Sequence, residues 1–147
     1  MPRDWLSNKE YDFIFGRIPR LCVDLVIKGS RGVLLTKRKI YPYKNFWHLP
    51  GGRMKFREPF KKAIGRIARE EVGLKVKVLA LAGFMEFLRE TQNRRKRHSV
   101  SLVFLVRPLS KVARGSWQAE EIKYYKNLSA QIHPIHLKFL SRNRYLR

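Results

Sequence analysis

The pattern of apolar and polar positions divides the chain into segments of two periods. Residues 7–16 carry Tyr11, Ile14 and Phe15 at helical spacing behind Ser7, whose hydroxyl can cap a helix. Residues 20–28 are apolar and β-branched enough for a buried strand. Gly29-Ser30-Arg31-Gly32 forms a turn and residues 33–38 return as a second strand, which predicts a hairpin. A loop over 41–46 leads through Trp47-His48-Leu49 into the strong turn Pro50-Gly51-Gly52. Pro59 suits the first turn of a helix, where its missing N–H costs nothing, and Gly73 suits the residue after its end, so a helix is predicted up to about Val72. Residues 75–86 read as a strand kinked near Gly83, 89–97 as a polar, basic loop, and 99–107 as a central strand. A loop over 110–119, a short strand over 121–125 and a helix over 132–140 complete the chain. No repeat, low-complexity tract or linker interrupts it. The order predicts one domain over 1–147, an α/β sandwich with a mixed β-sheet, in which 1–19 form an N-terminal helix and arm.

Composition narrows the class. The chain has 147 residues, 44% of them hydrophobic and 12% aromatic, which suffices for one core and excludes a disordered chain. No apolar run approaches the roughly 20 residues of a membrane helix. Residues 1–10 mix charged and polar side chains without the apolar centre of a signal peptide, so cytoplasmic residence and no membrane partner are expected. One cysteine, Cys22, excludes an internal disulfide and a cysteine-based zinc site; between Leu21 and Val23 it reads as a buried, inert thiol. Thirty-three Lys and Arg against 11 Asp and Glu give a formal charge of +22. Such a field attracts polyanions and admits nucleic acid as a partner. The cations are nevertheless spread in pairs such as Lys37-Arg38 and Lys61-Lys62, and the longest run is Arg94-Arg95-Lys96-Arg97. That distribution favours a generally basic surface with a solvated loop at 94–97.

With so few acids, a local cluster of them calls for a reason. Glu70-Glu71 and Glu120-Glu121 are adjacent pairs, and Glu58 lies one short helix upstream of the first. On the predicted helix Ile67, Glu70 and Glu71 share a face, and Arg66 stands one turn before Glu70. Exposed ion pairs contribute about 0–1 kcal/mol, and acids near a helix C-terminus oppose its dipole. The pair is better explained as hard oxygen ligands, which magnesium takes together with water and substrate phosphate. A carbonyl of the Pro50-Gly51-Gly52 turn would add a ligand, since glycine lets the backbone approach closely.

The segment 52–74 resembles the Nudix box, G-x5-E-x7-R-E-U-x-E-E-x-G-U with U apolar. Gly52, Glu58, Arg66, Ala68, Glu70, Glu71, Gly73 and Leu74 fill its positions, and only the first glutamate differs, being Ile67. Trp47 and Pro50-Gly51-Gly52 before the box, and Glu121-Ile122 with Tyr125 after it, extend the similarity over about residues 21–128. The resemblance implies a Nudix-type α/β/α sandwich and a Mg2+-dependent hydrolase, with Mn2+ as an alternative ion, acting on a nucleoside-diphosphate compound. It implies that the Gly51 carbonyl, Glu70, Glu71 and Glu121 hold metal, that Arg66 orients the box carboxylates, and that Glu58 supports them. Arg66, Glu70, Glu71 and Glu121 are thus the expected catalytic set.

Ile67 has no proton-transfer group, which removes the usual water activator. Three readings follow: loss of activity, a base moved to Glu120, Glu121 or His98, or a different chemistry. The GDP-mannose mannosyl hydrolases lack the same glutamate, and the chain is similar to them in 22–26, 30–32, Leu34-Leu35, Lys37-Arg38 and Arg53. That similarity implies Arg38 and Arg53 on the diphosphate, as suits guanidinium forks, and Asp24 on a sugar or base hydroxyl. Ile122 stands where that subgroup has a histidine base, and both Glu70 and Glu71 remain, so the chain lies between ordinary diphosphate hydrolases and the sugar-releasing subgroup. The expected function is hydrolysis of a nucleotide sugar such as GDP-mannose. The alternatives are a pyrophosphohydrolase of nucleotides or RNA 5′ ends, and an inactive module that binds nucleotide or nucleic acid. His48 reads as a turn residue, and His133 and His136 as structural. Trp5, Tyr11 and Phe15 would pack the N-terminal helix on the sheet or on a second copy, so a homodimer is compatible with the sequence.

Overall fold

Strand β1, Arg20–Gly29, is the axis around which the chain is arranged. In this computed structural model the backbone is described for residues 6–41, 43–92, 95–110, 119–127 and 131–146, and side chains for the same residues except 91, 92, 119 and 120. The expectations for Trp5, Arg94, the Glu120 side chain and most of the 110–119 loop fall outside the described residues.

Before β1, helix α1, Asn8–Phe15, opens on a capping box: Glu10 N donates to Ser7 Oγ and Ser7 N to Glu10 Oε1, both at 3.2 Å. After it come β2 (Gly32–Arg38), β3 (Trp47–His48), β4 (Gly51–Arg53), α2 (Phe60–Val72), β5 (Val76–Gln92), β6 (Arg95–Pro108), β7 (Ala119–Tyr125) and α3 (Pro134–Arg142). The sheet is mixed, in the order β3-β2-β1-β6-β5, with β4 also on β1 and β7 also on β2. β1 and β6 run parallel from Arg20↔Ser99 to Ile27↔Val106, and every other pair is antiparallel. The predicted β1–β2 hairpin is present but pairs only at Lys28↔Val33 and Gly29↔Gly32. Nearer its start, the same edge of β1 pairs with β4 at Cys22, Val23 and Asp24. Between these two partners the edge of β1 is split, and Asp24 stands at the split.

Side-chain alternation along β1 gives the sheet two apolar faces. Val23, Leu25 and Ile27 join Leu34, Phe104 and Val106 under α2, while Val26 joins Val33, Leu35, Trp47, Val103, Phe139 and Leu140 under α3. This is the expected α/β/α sandwich.

One expectation is corrected. Residues 89–97 are not a loop: β5 continues to Gln92 and β6 begins at Arg95, so the two form one long hairpin with Glu90↔Arg97 in register. Polar composition misled there because this end of the hairpin exchanges charges with α1. Asp12 takes ion pairs from both Arg95 and Arg97, and Arg97 is buried with its guanidinium over Tyr11. The kink expected near Gly83 appears as a register shift between Leu81 and Gly83.

Candidate active site

Helix α2 begins after Pro59 and ends at Gly73, whose φ of 67° is the left-handed cap. Ala63, Ile64, Ile67, Ala68 and Val72 are its buried residues. Ile67 is therefore core rather than part of a metal-facing surface: it is 1% exposed and belongs to the apolar cluster beneath the helix. Glu71 continues the same i, i+3/i+4, i+7 stripe as Ile64, Ile67 and Ala68, so its half-buried carboxylate leaves the last turn toward the sheet. Glu70 lies on the outer side with Arg66. The two adjacent glutamates thus have different surroundings.

Arg66 ties the segment before the helix to the helix. Its Nε donates to Glu58 Oε2 at 2.7 Å and its Nη2 to Glu58 Oε1 at 2.8 Å, a bidentate fork. Nη2 also donates to the Arg53 carbonyl at 2.9 Å, and Nη1 to Glu70 Oε2 at 3.1 Å. Lys55 N donates to Glu58 Oε1 at 3.1 Å, so Glu58 closes the loop at 55–58 as well. The hydrogen bonds from Arg66 hold the Glu58 carboxyl below the usual carboxylate range.

Asp24, at the split of β1, is buried in a mainly apolar strand. The Ser101 hydroxyl of β6 donates to its Oδ2, and a Cβ on Gly51 would run into its Oδ1. Only glycine allows β4 to lie this close. Burial pushes the Asp24 carboxyl up to about 7; the Ser101 hydrogen bond acts against this, and the charges of Glu90 and Glu71 act with it. Glu90 on β5 accepts from Arg20 Nη2 at 2.7 Å and from Ser99 Oγ at 2.9 Å. Arg38 at the end of β2 is half-buried, which pulls its guanidinium below the ordinary value, while Glu90 and Glu71 act oppositely. Glu71 and Glu90 therefore lie within electrostatic reach of both Asp24 and Arg38. Glu90 is not singled out by the sequence, because the polar, basic composition of 89–97 predicts a loop there. Its scarcity value as one of only 11 acids was the available signal.

Arg53 presents its guanidinium 5.0 Å from the ring centres of both Tyr11 and Phe15, so α1 packs on the sheet side of the turn as expected. Glu121 lies elsewhere in the charge pattern: its carboxylate is 3.7 Å from Lys37 Nζ, its side chain is 55% exposed, and its charge bears on Tyr125. His98 is half-buried on β6. Cys22 is inert as expected, since burial raises its thiol to about 12.

The Arg38 charge also bears on two imidazoles, His48 and His133. His48 Nδ1 lies 2.9 Å from both Thr36 Oγ1 and Thr36 O; its ring stands 5.8 Å from that of His136, which stands 5.1 Å from that of His133. His136 Nδ1 accepts from Leu49 N, and His133 Nδ1 from Ile135 N at the start of α3. Burial, with Arg38 adding to it, lowers His48 and His133 to about 4; burial lowers His136 further. These histidines are structural, as expected, and His48 sits in β3 rather than a turn.

The donor set fits magnesium in kind. Among the described residues no three His, Cys, Asp or Glu side chains converge as a cage, so Glu70, Glu71 and Glu121 do not meet as one ligand group. Magnesium is commonly held by one or two carboxylates, with waters and substrate phosphates completing the octahedron. The Asp24 carboxylate beside the Gly51 backbone and the nearby charge of Glu71 are of that class, and Asp24 is raised partly by the repulsion a cation would relieve.

The comparisons agree with the fold. The NUDIX domain family matches residues 18–142. The chain belongs to the Nudix family. It is similar to the low-salt glycan biosynthesis protein Agl8 of Haloferax volcanii, 33% identical over 92 residues, covering 63% of this chain and 59% of that protein. It is also similar to an ADP-ribose pyrophosphatase of Methanocaldococcus jannaschii, 32% identical over 108 residues, covering 73% of this chain and 62% of that one. The matches thus span about three-fifths of these relatives' lengths, 59% and 62%. In structure it is similar to a MutT Nudix hydrolase from Burkholderia pseudomallei, with a TM-score of 0.74, 24% identity, and coverage of 85% of this chain and 98% of that one.

Proposed function

We propose that this Nudix chain is a Mg2+-dependent hydrolase of a nucleoside-diphosphate sugar. The carrying observation is Glu71, a half-buried carboxylate at the end of the box helix, whose charge, with that of Glu90, bears on both the buried Asp24 and the half-buried Arg38. A cleft that combines acidic metal ligands with a half-buried arginine suits a metal-bound diphosphate. GDP-mannose is the substrate favoured by the resemblance in 22–38 and by Ile67. ADP-ribose is the one favoured by the pyrophosphatase relative, and both are nucleoside-diphosphate sugars.

Glu71 and the Gly51 carbonyl, with Asp24 beside it, would hold magnesium, and manganese would suit the same oxygens; Glu70, paired with Arg66 on the outer side, would join them only by turning from that pair. When bound, the ion supplies charge neutralisation on the phosphate oxygens as the bond breaks. Arg38 and Arg53 bind the diphosphate. Arg66 fixes Glu70 and the turn carbonyl of Arg53, so the loop and helix ends of the site keep one spacing. Asp24 holds its place beside Gly51 through Ser101. Glu121 remains a ligand candidate only if β7 shifts toward the helix when metal and substrate bind. Glu120 is the neighbouring candidate for base. A second reading, an inactive module that binds nucleotide or nucleic acid, is favoured by Ile67, which is core and carries no proton-transfer group.

Product analysis separates these. With Mg2+, GDP-mannose yielding GDP and mannose indicates cleavage between the sugar and the β-phosphate, and an inverted anomer of the released mannose indicates attack at the sugar carbon. GMP and mannose phosphate, or AMP and ribose phosphate from ADP-ribose, indicate cleavage between the phosphates. No turnover of either, with salt-dependent RNA binding, supports the module. Glu71→Gln is expected to lower Mg2+-dependent kcat by about a hundredfold or more; an unchanged rate would remove Glu71 from the site.

A further inference from the structure

The β2–β3 connection carries features that the diphosphate site does not use. Two of its non-glycine residues, Tyr43 and Asn45, have φ of 59° and 71°. Left-handed backbone is costly for such residues and persists only where the surroundings enforce it. Here the enforcing contacts are visible. Asn45 N donates to the Arg38 carbonyl at 2.8 Å, and Arg38 N to the Phe46 carbonyl at 3.0 Å. The Tyr43 ring meets the His133 ring at 4.1 Å between centres and the Phe46 ring edge-on at 5.4 Å. His133 in turn stands 5.8 Å from Phe87, three residues before Glu90 on β5. Tyr43 is thus braced from behind, yet 44% of it is exposed. The Arg38 guanidinium is tied to the same connection, its Nε donating to the Ile40 carbonyl at 3.3 Å, and its charge bears on His133. The same connection displays Tyr41, 80% exposed, with Lys44 Nζ 5.6 Å from its ring centre.

A fixed, half-exposed aromatic ring beside a phosphate-binding arginine has the chemistry of a base-stacking platform. Stacking tolerates any base, because every base presents a π-face, and cations around the ring add attraction to the phosphates. We propose that Tyr43 is the stacking surface for the nucleobase of the nucleoside diphosphate, with Arg38 on its phosphates and Tyr41 and Lys44 as the outer wall. The left-handed backbone at Tyr43 and its contact with His133 fix where the ring stands. This inference rests on the function proposed above and assigns the base end of the same site.

The test is calorimetric and needs no turnover. ADP, GDP and inorganic pyrophosphate are titrated in Mg2+ into the whole protein, Tyr43→Leu and Tyr43→Phe, with melting temperatures recorded to confirm folding. Leucine keeps bulk against His133 and removes the π-face; phenylalanine keeps the π-face. The expected result is that Tyr43→Leu weakens ADP or GDP about tenfold or more, leaves pyrophosphate within about twofold, and that Tyr43→Phe binds like the wild type. Equal nucleotide binding by wild type and Tyr43→Leu overturns the inference while leaving the diphosphate site intact. A parallel loss of pyrophosphate binding also overturns it, since Tyr43 would then only support Arg38. Failure of the wild type to bind any of the three overturns the proposed function itself.

Discussion

Ile67 lies one turn before Glu71 on α2, and the two side chains share a stripe yet meet different surroundings. Ile67 touches the underside of the β4 turn, where a Cβ on Gly52 would come 3.3 Å from its Cγ1. Restoring a glutamate there would bury an unpaired carboxylate under β4. Ile67→Glu is therefore expected to destabilise the fold by roughly 3 kcal/mol or more in urea unfolding, without raising turnover. A more active and equally stable variant would show that position 67 faces the site. Arg66 is the other residue on which the helix depends. Arg66→Ala leaves Glu58, 12% exposed at its side chain, without its fork and frees the Arg53 carbonyl. The expected costs are about 1–3 kcal/mol of stability and a weaker Mg2+ affinity by isothermal titration. Lysine should recover little of either, because it cannot reproduce the bidentate geometry.

At the scale of elements, Gly73 and the β5–β6 hairpin show how local and long-range terms divide. Gly73 ends α2 in left-handed backbone, so Gly73→Ala should cost about 1–2 kcal/mol with little change in metal affinity. The hairpin end, by contrast, is held by partners distant in sequence, Asp12 and Arg20, which is why composition alone read it as loop. The packing of α3 against β3 carries a pH dependence of its own. His48 and His133 fall to about 4 in the fold, and His136 is also lowered, so the unfolded chain binds more protons than the folded one below pH about 6.5. Their contribution is full above that pH and is lost as pH falls toward 4, by at most about 2 kcal/mol per imidazole at pH 5. Asp24, raised to about 7, has the opposite sign: its fold binds the extra proton, so its contribution is full below about 4 and is lost as pH rises through 7. Urea midpoints measured across pH 4–8 should therefore fall more steeply in acid for Asp24→Asn than for the wild type. Parallel profiles would contradict the assignment of the buried proton to Asp24.

For the whole molecule, +22 is the dominant fact. Self-repulsion of this size destabilises the compact state and is screened by salt. Raising NaCl from about 20 mM to about 500 mM should raise the urea midpoint while it weakens nucleotide binding; a midpoint that falls would mean that the described ion pairs, such as those of Asp12 and Glu58, outweigh the repulsion. Among the described residues no helix is long and apolar enough to cross a membrane.

Local chemistry determined most of what could be read before folding: the caps at Ser7 and Gly73, the strands built of apolar runs, the box spacing from Gly52 to Leu74, and the pairing of Arg66 with Glu70. These depend on neighbours within a few turns of chain, and periodicity reports such neighbours directly. Tertiary structure decided the rest. It placed Ile67 in the core, turned Glu71 inward and Glu70 outward, brought Glu90 to Asp24 across β6, and set Glu121 against Lys37. Each of these depends on which strand lies beside which, and sheet register is fixed by burial summed over the whole molecule rather than by any one segment.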